Sequence, residues 1–157
     1  MGSGGAVNRP SPKGLSLVEF LIVLAVLGIL LGVGFVSLRS YQQSLAIREA
    51  ATQVATELLN IRQQARRQSV NFSFQAGANS NTYKVGRTSD LASLPSKSLP
   101  PGVIFQSVPT GGVVRFDAPY GIVNSGANSS YVLRGPGSRV LSVNVVGRTG
   151  KVVVRAP

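Results

Sequence analysis

Residues 15–38, LSLVEFLIVLAVLGILLGVGFVSL, carry a single charge, Glu19, and are otherwise almost wholly apolar. A helix of this length rises roughly 36 Å, enough to cross a hydrocarbon core of about 30 Å with some tilt. A chain of 157 residues is too small to surround such a helix on every side, which argues against a buried core helix. Lipid or other helices must therefore cover it. Arg9 and Lys13 precede the run and Arg39 follows it, so the positive-inside rule orients it only weakly. Gly28 and Gly32 have the small-xxx-small spacing, and with Gly34 they lower helix propensity and permit close helix packing.

The residues ahead of this run decide how it is used. Residues 1–12, MGSGGAVNRPSP, are small, polar and rich in Gly and Pro, and read as a flexible leader with no fold of its own. An ordinary secretory signal places its cleavage site after the apolar region. Here the cleavable-looking residue, Gly14, comes before it, so processing would keep the hydrophobic segment. A bare carboxylate in hydrocarbon is costly and needs a partner, and Glu19 is the one carboxylate of the run. The alternative is that Glu19 snorkels to the interface near the helix end.

The order Lys13-Gly14-Leu15-Ser16-Leu17-Val18-Glu19 resembles the class III leader of type IV prepilins and pseudopilins. There a basic residue and Gly precede an apolar residue, usually Phe and here Leu15. The resemblance implies cleavage between Gly14 and Leu15 by prepilin peptidase and N-methylation of the new amine on Leu15. It also implies pairing of Glu19 with the terminal amine of a neighbouring subunit during filament assembly. The implied partners are other pilin or pseudopilin subunits, the peptidase and the bacterial inner membrane, crossed once with the C-terminal domain outside the cytoplasm.

Beyond the apolar run, Ile47, Ala51, Val54, Leu58, Ile61 and Ala65 recur at steps of four and three, one stripe of a continuing helix. The spacing predicts a single helix from near Leu15 to near Gln68, apolar all round over 15–38 and amphipathic over 39–69. Arg62, Arg66 and Arg67 gather at its C-terminal end, where cations suit the helix dipole; a phosphate-binding face is the alternative.

From residue 70 to 157 the pattern changes to short strand-like runs between turn residues. Strands are expected over 70–75, 83–87, 103–108, 113–116, 131–134, 139–146 and 151–155. Hairpins are expected at Pro109-Thr110-Gly111-Gly112, at Gly135-Pro136-Gly137 and at residues 147–150. Residues 88–102 and 117–130 read as long loops, the latter around Ile122-Val123. The fold class is α+β: a long N-terminal helix packed on an antiparallel β domain of about seven short strands.

The segment Val145-Val146-Gly147-Arg148-Thr149-Gly150-Lys151-Val152, with Val114-Arg115-Phe116-Asp117 upstream, resembles the C-terminal region of the GspH/FimT group of minor pilins and pseudopilins. In DNA-binding members of that group the turn reads Gly-Arg-x-Arg and its arginines contact DNA. Here the second arginine is absent and Lys151 lies one place later. The DNA-binding candidates are accordingly Arg148 and Lys151, with Arg139 and Arg155, on a hairpin expected to be mobile. Tyr120 and Tyr131 are candidates for base stacking, with core or edge packing as the alternative.

Composition narrows the chemistry. A net charge of +11, from 16 Lys and Arg against 5 Asp and Glu, favours polyanionic partners, or else is a solvated basic surface. With no Cys and no His, disulfides, thiolate metal sites and imidazole bases are excluded. Asp90 and Asp117 are the only acids after residue 69, and neither has metal-ligand spacing. No cofactor or metal is expected, and the reading is a structural subunit rather than an enzyme. It is a minor pilin or pseudopilin of a type IV pilus or type II secretion pseudopilus, the alternative being a DNA-binding minor pilin for DNA uptake.

Overall fold

The computed structural model describes residues 16–124 and 128–156. The expected cleavage point between Gly14 and Leu15 lies outside the described residues. One helix, α1 (Leu17–Gln68), fills the N-terminal part of the chain. No Gly or Pro interrupts residues 35–68, and Ser69, in the left-handed region at φ 51°, closes the helix. The chain divides into two compact units at Leu38 and Arg39. In the first, α1 is long and apolar enough to cross a membrane. Its large apolar side chains among the described ones are exposed, with Leu17 at 75 % and Leu38 at 53 %.

The second unit is an α+β domain. Two antiparallel sheets contain seven strands of four residues or more and two two-residue strands among the described residues. The first sheet has the order β3-β2-β1-β5-β6. Its strands are β1 (Phe72–Ala76), β2 (Thr82–Arg87), β3 (Lys97–Ser98), β5 (Val113–Asp117) and β6 (Ile122–Val123). The second has the order β4-β7-β8-β9, built from β4 (Ile104–Ser107), β7 (Asn128–Arg134), β8 (Val140–Val146) and β9 (Lys151–Arg155).

Every residue of the α1 stripe, Ile47, Ala51, Val54, Leu58, Ile61 and Ala65, is buried, and Ala50 joins them. From Ala51 on, the stripe belongs to one apolar core with residues of both sheets. Four aromatic rings bridge the sheets. Phe74 and Tyr83 of the first stack at 5.0 Å, and Tyr131 and Phe105 of the second meet Phe74 edge-on at 5.0 and 6.3 Å. Such pairs contribute about 0.5–1.5 kcal/mol each beyond the area they bury. The Tyr131 hydroxyl donates to the Phe74 and Gly112 carbonyls, and burial pushes its phenol well above the ordinary pKa. Polar ties join α1 to the first sheet: Gln53 Nε2 donates to the Tyr83 hydroxyl at 2.8 Å, and Lys97 pairs with Glu57.

Tertiary pairing overturns three local expectations. The segments around residues 103–108 and 113–116 do not form a hairpin: β4 pairs with β7 and β5 with β1. A Pro-Thr-Gly-Gly loop suits a hairpin, but it equally lets a chain cross between sheets. Crossing sets Val114 against Phe74 and Phe116 against Phe72, and Phe105 against Leu133, large apolar pairs that stabilise their sheets. The loop over 88–102 contains β3, paired with Thr82 and Tyr83. The segment 117–130 contains β6 and the start of β7, which carries the buried Ser129. The β7–β8 and β8–β9 hairpins form where expected.

Candidate functional site

Two regions hold the expected functional residues. The first is the start of α1. Glu19 lies in its first turn, where free N–H groups and the helix dipole favour a carboxylate. It makes no ion pair among the described residues, and its neighbours Leu17, Val18 and Phe20 are exposed at 56–75 %. A Cβ added at Gly28 or Gly32 would meet nothing within 4 Å, so the backbone there is open to a second helix. Gly14 and Leu15 lie outside the described residues.

The second region is the β8–β9 hairpin. Its register sets Val146 opposite Lys151 and Ser142 opposite Arg155. Lys151 and Arg155 are thus about 13 Å apart along β9. The turn is tied down rather than mobile. The Val123 N–H donates to the Arg148 carbonyl at 3.0 Å, and the Gly150 N–H donates to the Gly147 carbonyl at 3.2 Å. Gly150 is buried against Phe116 and Val123 at φ 66°. On this fixed backbone Arg148, Thr149 and Lys151 are exposed. Arg139 sits at the opposite end of the ladder, where its guanidinium donates to the Ser40 hydroxyl at 3.0 Å. The Arg155 carbonyl accepts from the Ser142 hydroxyl at 3.2 Å. The four candidate cations therefore fall into two groups, and only Arg148 and Lys151 share the turn.

Residues 9–35 match the family model of the prokaryotic N-terminal methylation motif. The N-terminal segment carries a methylation motif. It spans Gly14, Leu15 and Glu19, and it supports a type IV pilin-like precursor. No curated protein matches the chain, and no solved structure does.

Beside this motif, the exposed face of α1 needs either lipid or neighbouring helices, because so large an apolar surface left in water is costly. Of the two tyrosines considered for stacking, Tyr131 is fully buried in the ring cluster and cannot meet a base, whereas Tyr120 is 72 % exposed. Asp117, at the end of β5, is engaged by Arg115 at 2.7 Å and by the Asn124 amide at 2.7 Å. Among the described residues no three of His, Cys, Asp and Glu come together as a metal site would require. Sequence reasoning did not anticipate the bond from β6 to the basic turn, since nothing local to Val123 or Arg148 encodes it.

Proposed function

We propose that this chain is a minor pilin or pseudopilin, a subunit of a type IV pilus or type II secretion pseudopilus, with the GspH/FimT group as its subfamily. Prepilin peptidase cleaves it after Gly14 and the new amine of Leu15 is methylated. The precursor crosses the inner membrane once through residues 15–38, with the β domain outside the cytoplasm. Glu19 then sets register by pairing with the amine of a neighbouring subunit. The observation that carries this reading is the methylation motif at the head of a helix that is apolar and exposed over its first half and packed in a β domain's core over its second.

The test is co-expression with active or inactivated prepilin peptidase, read by intact mass and N-terminal sequencing. The expected product starts at Leu15 and carries one methyl group. Retention of residues 1–14 beside active peptidase overturns the proposal. Glu19→Ala is expected to be processed yet absent from sheared filaments; normal incorporation would remove Glu19 from the mechanism.

The exposure of Arg148 and Lys151 on a fixed turn favours a second reading, a DNA-binding minor pilin for DNA uptake. Full-length protein in neutral detergent should bind duplex DNA in a salt-dependent way and lose that binding on Arg148→Ala. Unchanged binding in the variant dismisses it.

A further inference from the structure

The C-terminal end of α1 and the segment between β5 and β6 meet at a place that neither the methylation motif nor the β8–β9 turn explains. Gln63, Arg66, Arg67, Pro119 and Tyr120 line one open cleft of about 540 Å³. Gly121 seats the segment against the helix. A Cβ there would come within 3.0 Å of the Arg62 carbonyl oxygen and of Arg66 Cγ, and the Gly121 N–H donates to the Asp117 carbonyl at 2.8 Å. Tyr120 is thus held beside the last turns of α1 with its side chain exposed.

The cations there lack carboxylate partners. Among the described residues the two ion pairs are Lys97–Glu57 and Arg115–Asp117, so neither Arg66 nor Arg67 takes part in one. Arg62 Nε is buried with no hydrogen-bond partner. Arg87 adds a further guanidinium at this end by donating to Gln68 Oε1 at 3.1 Å. The remaining acid of the β domain, Asp90, is exposed in the turn after β2, its N–H bonded to the Arg87 carbonyl. The helix dipole accounts for cations in the last turn. It does not account for an exposed phenol ring sharing their cleft.

We propose that this cleft is a contact site for single-stranded nucleic acid, with Arg66 and Arg67 on phosphodiester oxygens and Tyr120 stacked on an unpaired base. Guanidinium forks match pairs of phosphate oxygens, and stacking on an aromatic side chain is sequence-tolerant because every base has a π-face. A duplex offers the same phosphates but no free base to Tyr120. Single-stranded DNA and RNA share this chemistry and differ in the 2′-hydroxyl.

Full-length protein in zwitterionic detergent is titrated with labelled oligothymidylate, oligouridylate, duplex DNA and inorganic polyphosphate across a salt series, read by anisotropy or competition. Tyr120→Ala is expected to weaken oligothymidylate binding roughly tenfold and to leave polyphosphate binding unchanged, while Tyr120→Phe retains both. The Arg66→Ala, Arg67→Ala double variant should weaken binding of all four probes. It should also reduce the single-strand salt slope by about 0.7 for each phosphate that the arginines no longer neutralise. A preference between the two oligonucleotides assigns DNA or RNA, and equal affinity assigns both. The proposal is overturned if Tyr120→Ala or the double arginine variant binds oligonucleotide as tightly as the parent. It is also overturned if only Arg148→Ala abolishes binding, which would move the site to the β8–β9 turn. Peptidase processing reads different residues, so this proposal and the pilin assignment fail independently.

Discussion

Gly147 and Gly150 bracket the basic turn and separate two physical effects. Both lie in the left-handed region, at φ 63° and 66°, where a side chain costs roughly 1–2 kcal/mol in backbone strain. Only Gly150 is also enclosed. A Cβ added there would lie 2.8 Å from Phe116 Cε1 and 2.9 Å from Val123 Cγ2, whereas at Gly147 it would meet nothing within 4 Å. Phe116 and Val123 are buried at 0 % and 4 % exposure, so neither can swing aside into solvent. Overpacking a core of this kind costs about 1–3 kcal/mol more. Gly147→Ala should therefore lose about 1–2 kcal/mol, and Gly150→Ala should exceed it by about 1–3 kcal/mol. Urea unfolding of the full-length protein in detergent, followed by near-UV circular dichroism of the buried Tyr83 and Tyr131, measures both. Gly150→Ala should also accelerate hydrogen exchange at the Val123 amide, whose acceptor is the Arg148 carbonyl. Equal losses for the two variants, or an undisturbed Val123 amide in Gly150→Ala, would refute the claim that this turn is held by packing against β5 and β6.

Three further outcomes are expected. Leu58→Ala, at a fully buried stripe position, should cost about 2–5 kcal/mol, while Leu59→Ala, at 41 % exposure, should stay within about 0.5 kcal/mol; both are read by the same urea titration. Burial raises the phenol pKa of Tyr131 and Tyr83, so above pH about 10 the unfolded chain loses protons that the folded chain keeps. Stability is complete below that pH and falls above it, and Tyr131→Phe should make the fall shallower in thermal melts across alkaline buffers. Lys97→Ala removes a partner of Glu57 that is itself half exposed, and should cost less than about 1 kcal/mol, with a smaller effect in high salt.

Much of the molecule was legible because its causes are local. The apolar run 15–38 and the stripe from Ile47 to Ala65 are periodic properties of contiguous residues, and α1 follows from them. The β7–β8 and β8–β9 hairpins were legible for the same reason, as Gly-rich turns between alternating runs. The failures share an opposite cause. Whether β4 pairs with β5 or with β7 depends on which distant strand offers the better face. Phe74 and Leu133, distant in sequence from the Pro-Thr-Gly-Gly loop, decided it. Short strands such as β3 and β6 have no periodicity to read and exist only because a neighbouring strand edge is free.

The division holds for the functional surfaces. By itself the sequence determined the methylation motif, the lone carboxylate at Glu19 and the need for lipid or neighbouring helices around the apolar run, since each follows from the order of adjacent residues. Only the tertiary structure decided which cations lie together. It separated Arg139 and Arg155 from Arg148 and Lys151, buried Tyr131, and brought Tyr120 to Arg66 and Arg67. Charge and aromatic character belong to single residues, but a binding surface depends on long-range packing of a helix end against a loop.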